Sequence, residues 1–274
     1  MRLVLLTDLH FGRASPDLVQ PLLDSVGDAS PDLVLISGDF VQRARSRQFR
    51  MARDFLDRLG HDWIAVPGNH DIPLFNILSR ALMPRAAFRH WITTDTEPLV
   101  ETEDTVILGI DTTHRWSHQR GLIRPAQIAR VADIIRSAAH NKTVVIMAHH
   151  PFHHSPDVEK KVMKNAARAL EDWSDCGPHI ILSGHLHTWT VEPFLAEKNQ
   201  SMTLQVHCGT GLSTRLRGDP NEFAVLNLDE DLFGACRMVA DPESMKYVAA
   251  GESRFRRTRD GWERADESAL RRTI

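Results

Sequence analysis

Aspartate, asparagine and histidine recur in five short segments of this chain: Asp8-x-His10, Gly38-Asp39, Gly68-Asn69-His70-Asp71, Ala148-His149-His150 and Gly184-His185-x-His187. They offer carboxylate and amide oxygens together with imidazole nitrogens. That mixture suits manganese, iron, zinc or similar transition ions better than magnesium or calcium. Two adjacent ions need one ligand able to bridge, and a carboxylate can, because it has two oxygens; Asp39 is the natural bridge. Ions held ~3.5–4 Å apart lower the pKa of a shared water and clamp the oxygens of an in-line phosphoryl displacement. Phosphoester hydrolysis is therefore the chemistry to expect. No Ser-His-Asp or cysteine-centred arrangement stands out, which agrees with water as the nucleophile. Singly, an Asp-x-His or a Gly-Asp is usually a turn; the five in order carry the reading.

Each segment ends an apolar, β-branched run: LVLLTD, DLVLISGD, WIAVPGN, TVVIMAH and HIILSGH. Such runs read as buried strands, and ligands gather beyond strand carboxyl ends. Five strands would deliver their donors to one edge of one sheet. Asp8 and His10 can reach one ion only if the strand has already turned into a loop, and the same holds for His185 and His187. Helical spacing is expected over 16–26, where Ser15 and Pro16 form a start signal, and over 46–59, 73–82, 125–137 and 158–173. This alternation implies βαβ units. After Gly184, short alternating segments replace helices, and Asp260-Gly261 marks a hairpin.

The 274 residues are expected to form one domain, 1–274, with 229–274 as a C-terminal strand and hairpin extension. A hydrophobic content of 42% and a charged content of 25% are ordinary for a globular protein. The formal net charge of −3 argues against tight nucleic-acid binding. Three cysteines, Cys176, Cys208 and Cys236, without a CxxC, point to a reducing compartment and a cytoplasmic location. The first apolar run is too short for a membrane span, so no membrane contact is expected.

The ordered set Asp-x-His, Gly-Asp, Gly-Asn-His-Asp, His and Gly-His-x-His resembles the signature of calcineurin-like metallophosphoesterases, from about Arg2 to Leu228. The resemblance implies an α/β fold, a four-layer α-β-β-α sandwich of two mixed sheets flanked by helices. It implies that Asp8, His10 and His187 hold one metal and Asn69, His149 and His185 a second, with Asp39 bridging. It further implies attack by a metal-bridging hydroxide. His70 follows Asn69, so its ring is expected over the site, touching a phosphate oxygen and protonating the leaving alkoxide, with Asp71 orienting its other nitrogen. That role is similar to that of the family's matching histidine; the alternative for His70 and Asp71 is a hydrogen-bonded loop anchor.

The compact length, the Gly-Asn-His-Asp variant and the Ala-His-His-Pro run most resemble bacterial class III cyclic-nucleotide phosphodiesterases. That resemblance implies a small phosphodiester substrate of the cAMP type and, since related enzymes are often dimers, a homodimer. Arg215 and Arg217, after a Gly-Thr-Gly turn, are candidate phosphate or ribose contacts. The loops 73–91 and 112–124, the latter with His114, Trp116 and His118, are candidates for substrate recognition. The alternatives are a metal-dependent nuclease, a broad-specificity or monoester phosphatase, and a non-catalytic interaction module. The last would be expected to lack ligands, and none is missing.

Overall fold

The computed structural model describes residues 1–117, 119–138, 141–155, 158–194, 202–216 and 218–265. The five apolar runs form β1 (Arg2–Leu6), β2 (Leu33–Ser37), β3 (Trp63–Val66), β6 (Thr143–Ala148) and β7 (His179–Ser183). They do not share one sheet, which corrects the simplest reading of the strand ends. β1, β2 and β3 lie parallel in a seven-stranded sheet ordered β13-β12-β11-β10-β1-β2-β3. Its remaining members, β10 (Glu222–Asp229), β11 (Leu232–Asp241), β12 (Lys246–Thr258) and β13 (Gly261–Arg264), are antiparallel. The second sheet is ordered β4-β5-β6-β7-β9-β8, with β5 (Thr105–Ile110), β6, β7 and β9 (Thr203–His207) parallel. β4 (Leu99–Glu101) and β8 (Thr190–Phe194) close its edges antiparallel. Both sheets are mixed.

Strand alternation divides the core into three apolar layers, because successive side chains point to opposite faces. Leu3, Leu5, Leu33 and Leu35 face Val145, Met147, Ile180 and Leu182 between the sheets. Val4, Leu6, Val34 and Ile36 face outward onto α1 (Pro16–Ala29) and α2 (Ser46–Asp57), which contribute Leu22, Val26, Phe49 and Phe55. On the other side Val144, Ile146 and Ile181 meet α5 (Pro125–Ala138) and α6 (Ala166–Ser174) through Ile128, Val131 and Trp173. The architecture is thus the four-layer α-β-β-α sandwich. Each such burial stabilises by about 1.5–3 kcal/mol, so the sheets present their carboxyl ends on a rigid support.

Two helices are shorter than their spacing implies. The stretch 73–82 is helical only as α3 (Ile77–Leu82), because the Asn76 side chain caps Ser79 N at 2.9 Å and so starts the helix late. The stretch 158–173 is helical only from α6 onward. Lys164 bridges to Leu122, and Asn165 adopts φ 64°, which blocks helix before Ala166. A further short helix, α4 (Ala86–Trp91), lies between α3 and β4. No helix of the described residues is long and apolar enough to cross a membrane.

His179, at the start of β7, is buried and neutral. Thr203 Oγ1 lies 2.9 Å from Nε2 and the Gly177 carbonyl 2.9 Å from Nδ1. Burial lowers its pKa to about 4. As pH falls below the unfolded value near 6.5, the unfolded chain takes up the proton first. The stability held by this group is complete above that value and is lost as pH falls toward about 4, roughly 3 kcal/mol in all. In urea denaturation of metal-stripped protein, the advantage of wild type over His179→Gln should shrink by that amount between pH 7 and 4. A pH-independent difference would contradict it.

Candidate metal centre

The sheet ends converge through an unusual backbone. Asp8, His10, Asp39, His185 and His187 all sit at positive φ, between 49° and 71°. Left-handed conformations are uncommon for residues with a Cβ and cluster at functional sites. Here they solve the spacing problem noted in the sequence: β1 ends at Leu6 and β7 at Ser183, so each x-separated pair lies on a tight loop. Backbone bonds stitch the loops together, with Asp8 N donating to Gly38 O (3.1 Å), His10 N to Asp39 O (3.0 Å) and Gly184 N to His149 O (3.2 Å). The last bond ties the β6 and β7 loops, and Asp8 reaches across the sheets to accept from His185 N at 2.9 Å.

Three donor clusters result, two of them sharing His149. Asp8, His10 and His187 form one, and His149 falls in others with Asp8 and Asp39 and with His150 and His185, ligand atoms within 4.8 Å of one another in each. Asn69 Oδ1 lies 3.2 Å from His149 Nε2, and His185 Nδ1 lies 3.3 Å from the same nitrogen. Asp39 Oδ2 is 3.3 Å from His149 Nε2 and 3.8 Å from His10 Nε2, so this carboxylate touches both groups.

The protonation pattern fits a cation between them. His149 Nδ1 faces the Ser37 carbonyl at 2.8 Å and His187 Nδ1 the Arg215 carbonyl at 3.1 Å. A carbonyl only accepts, so each Nδ1 carries its hydrogen and Nε2 is the atom turned inward, offering its lone pair once the ring is neutral, the usual way a metal-binding imidazole is fixed. His187 Nε2 then confronts Asp8 Oδ1 at 3.1 Å and His10 Nε2 at 3.3 Å. Asp8 Oδ1 is buried without a hydrogen-bond partner among the described residues. Donor atoms crowded in this way need positive charge between them, a proton in the metal-free protein or a metal ion in its place. The electrostatics agree: burial works to raise Asp8, yet His187 and His10 hold it well below the usual carboxylate range. Burial also opposes ionisation of Asp39, and His149 with His70 overcomes it.

His70 lies beside the clusters. Its backbone N donates to Asp39 Oδ1 at 2.7 Å, and its ring meets the His10 ring edge-on at 4.9 Å. Nδ1 donates to the Gln42 carbonyl at 2.7 Å. Asp71, which the sequence led us to expect would orient this ring, has both carboxylate oxygens on backbone amides. Its Oδ1 accepts from Val41 N (3.1 Å) and its Oδ2 from Gly68 N (2.8 Å), so it anchors the β2 and β3 loops to each other. Burial and the nearby Asp39 charge raise the Asp71 carboxyl to about 8.

Sequence reasoning did not single out Gln42 and Arg43, although both follow Asp39 within the same loop. With its amide oxygen turned inward, Gln42 accepts from Arg43 Nη1 (2.8 Å), His70 Nδ1 (3.1 Å) and Arg215 Nη1 (3.1 Å). Arg215 therefore lies at the site through both its guanidinium and the carbonyl that braces His187. Arg217 and His118 lie outside the described residues. His207 is buried and satisfied by Ser183 Oγ at 2.6 Å.

Glycine at 184 is a requirement of close approach. A Cβ there would overlap Thr7 Oγ1 and press on Asp8 Oδ2, which Thr7 otherwise holds at 2.6 Å. Gly184→Ala should displace the Asp8 carboxylate and weaken metal binding by about 10–100-fold, at a folding cost of about 1–3 kcal/mol. Metal titration of the folded variant checks this; wild-type affinity would show that the contact is dispensable.

The chain matches the family model described as calcineurin-like phosphoesterase over residues 1–189. It is 25% identical over 205 residues to a protein of Synechococcus sp. described as a probable cyclic nucleotide phosphodiesterase, covering 66% of this chain and 71% of that one. It is 32% identical over 74 residues to a UDP-2,3-diacylglucosamine pyrophosphatase of Chlamydia muridarum, covering 26% of this chain and 22% of that one. The chain thus spans about a fifth of the chlamydial protein. A dimetal phosphatase from Danio rerio has a similar structure, with a TM-score of 0.65 and 14% identity, over 91% of this chain and 98% of that one. At that identity the likeness concerns the fold.

Proposed function

Because the chain belongs to the calcineurin-like phosphoesterase family, we propose that it is a dinuclear-metal phosphodiesterase acting on small phosphodiesters, cyclic nucleotides of the cAMP type first among them. One observation carries the reading: Asp39 Oδ2 reaches both donor groups, 3.3 Å from His149 and 3.8 Å from His10. Asp8, His10 and His187 would hold one ion, Asn69, His149 and His185 the other, and Asp39 both. Such a pair, when bound, supplies Lewis-acid activation of water and of the phosphoryl oxygens.

The chain's own residues would do the rest. The Ser37 and Arg215 carbonyls keep the His149 and His187 rings in the tautomer that faces inward. His70 has Nδ1 on the Gln42 carbonyl, and its Nε2 would meet the phosphate and give a proton to the leaving alkoxide. Arg215 and Arg43 bring guanidinium groups to the same side through Gln42. Similarity to the cyanobacterial protein supports a cyclic diester over a monoester.

The test is a substrate panel with purified protein and Mn²⁺: 3′,5′- and 2′,3′-cyclic AMP, bis-p-nitrophenyl phosphate, p-nitrophenyl phosphate and single-stranded DNA, with Asn69→Ala as control. Cyclic-nucleotide turnover that vanishes in the variant supports the reading and identifies the ring opened. Turnover of bis-p-nitrophenyl phosphate alone keeps the chemistry and discards the substrate. Faster turnover of the monoester overturns the phosphodiesterase assignment.

A further inference from the structure

Ten large hydrophobic side chains are exposed among the described residues, and six of them crowd two segments beside the site: Phe75, Ile77, Leu78, Leu82, Met83 and Trp116, at 63 to 74% exposure. The segments form one ridge. Arg80 Nε donates to the Arg115 carbonyl and Arg115 Nη1 to the Ala81 carbonyl, each at 2.5 Å, tying α3 to the loop after β5. The ridge adjoins the catalytic groups, since the Arg43 guanidinium lies 5.8 Å from the Phe75 ring centroid and 3.2 Å from His70 Nδ1.

Its charge is as one-sided as its polarity. Residues 72–94 and 112–124 contain no aspartate or glutamate and six arginines, in a chain whose net charge is −3. Arg85 pairs with Asp111. Arg80, Arg115 and Arg120 spend hydrogen bonds on backbone carbonyls, which leave their charge uncompensated.

Exposed Phe, Leu, Ile and Trp interleaved with arginine and free of acids is the composition of a surface that lies on lipid. The apolar side chains would enter the acyl boundary while the guanidinium groups meet headgroup phosphates. A second copy is a poorer occupant. A two-fold interface sets a patch against itself, and here that would bring like charges together. We propose that this ridge docks the protein on the surface of an anionic lipid bilayer. Docking needs no membrane span, so the lack of a spanning helix among the described residues does not oppose it. The consequence that phosphodiesters at the bilayer surface are the ones presented to the site rests on the proposed function; the docking itself does not.

Co-sedimentation with vesicles tests this, using phosphatidylcholine alone against equal parts phosphatidylcholine and phosphatidylglycerol. Wild type should pellet with the anionic vesicles, remain in solution with the neutral ones, and be released by salt. Leu78→Glu with Leu82→Glu should lower the partition coefficient at least about tenfold, with an unchanged thermal midpoint because both side chains are exposed. Three results overturn the proposal: no pelleting of wild type with either vesicle, equal pelleting of wild type and variant, or a wild-type dimer that the same substitutions dissociate. Turnover of soluble bis-p-nitrophenyl phosphate, read on the same samples without vesicles, separates the two readings. Its absence from wild type sinks the proposed chemistry, while the vesicle result still decides the surface.

Discussion

Asp39→Ala is expected to lower kcat/KM for any phosphodiester substrate by about a thousandfold or more, equivalent to ~4 kcal/mol of transition-state stabilisation. The substitution also removes a carboxylate within reach of both donor groups. Metal analysis of the purified variant should accordingly find at most one ion per chain. The same residue governs the metal-free protein. Burial disfavours a charged His149, but the Asp39 carboxylate, helped by Asp8, raises that ring to about 9. A metal must displace this proton, so uptake should release protons and weaken as pH falls below about 9, by roughly tenfold per pH unit. Calorimetry in buffers of different ionisation enthalpy measures the release. An Asp39→Ala protein that retains two ions and full turnover would remove the basis for a bridged centre.

How much of this was legible beforehand depends on what a residue type encodes. The five donor segments stood out because each ends an apolar run, and strands buried on both faces read as continuous Val, Leu and Ile. For the same reason the runs could not say which sheet they join: Leu3 and Leu35 look no different from Val145 and Ile180, although the first two belong to one sheet and the last two to the other. The left-handed backbone at Asp8, His10, Asp39, His185 and His187 leaves no mark in sequence, since neither Asp nor His demands it. Their neighbours impose it, through bonds such as His10 N to Asp39 O. Adjacency to His70 suggested a pair for Asp71, but it could not show that the Val41 and Gly68 amides, distant or turned back in sequence, bond to its two oxygens. Gln42 carries an uncharged amide and offers no metal-ligand pattern, so its place between His70, Arg43 and Arg215 emerges only from the fold.

His70→Ala should separate leaving groups. If Nε2 gives a proton to the departing oxygen, its loss costs about a hundred- to ten-thousandfold where an alkoxide leaves, as in opening a cyclic nucleotide. It should cost less than about tenfold for bis-p-nitrophenyl phosphate, whose phenolate departs without help. The geometry favours this role because the Gln42 carbonyl, at 2.7 Å, keeps the other ring hydrogen on Nδ1. Burial lowers the His70 pKa below that of a free imidazole, with Asp39 opposing. The acid form is therefore the minor one near neutrality, and cyclic-nucleotide turnover should decline as pH rises through the ring's depressed pKa. His70→Ala should lose that limb of the profile as well as rate. An equal fall on both substrates, with the pH limb intact, would instead make His70 a phosphate contact that positions the ester. Unchanged turnover on the alkoxide substrate would remove it from the chemistry altogether and leave it, with Asp71, as an anchor for the loops that carry Asp39 and Asn69.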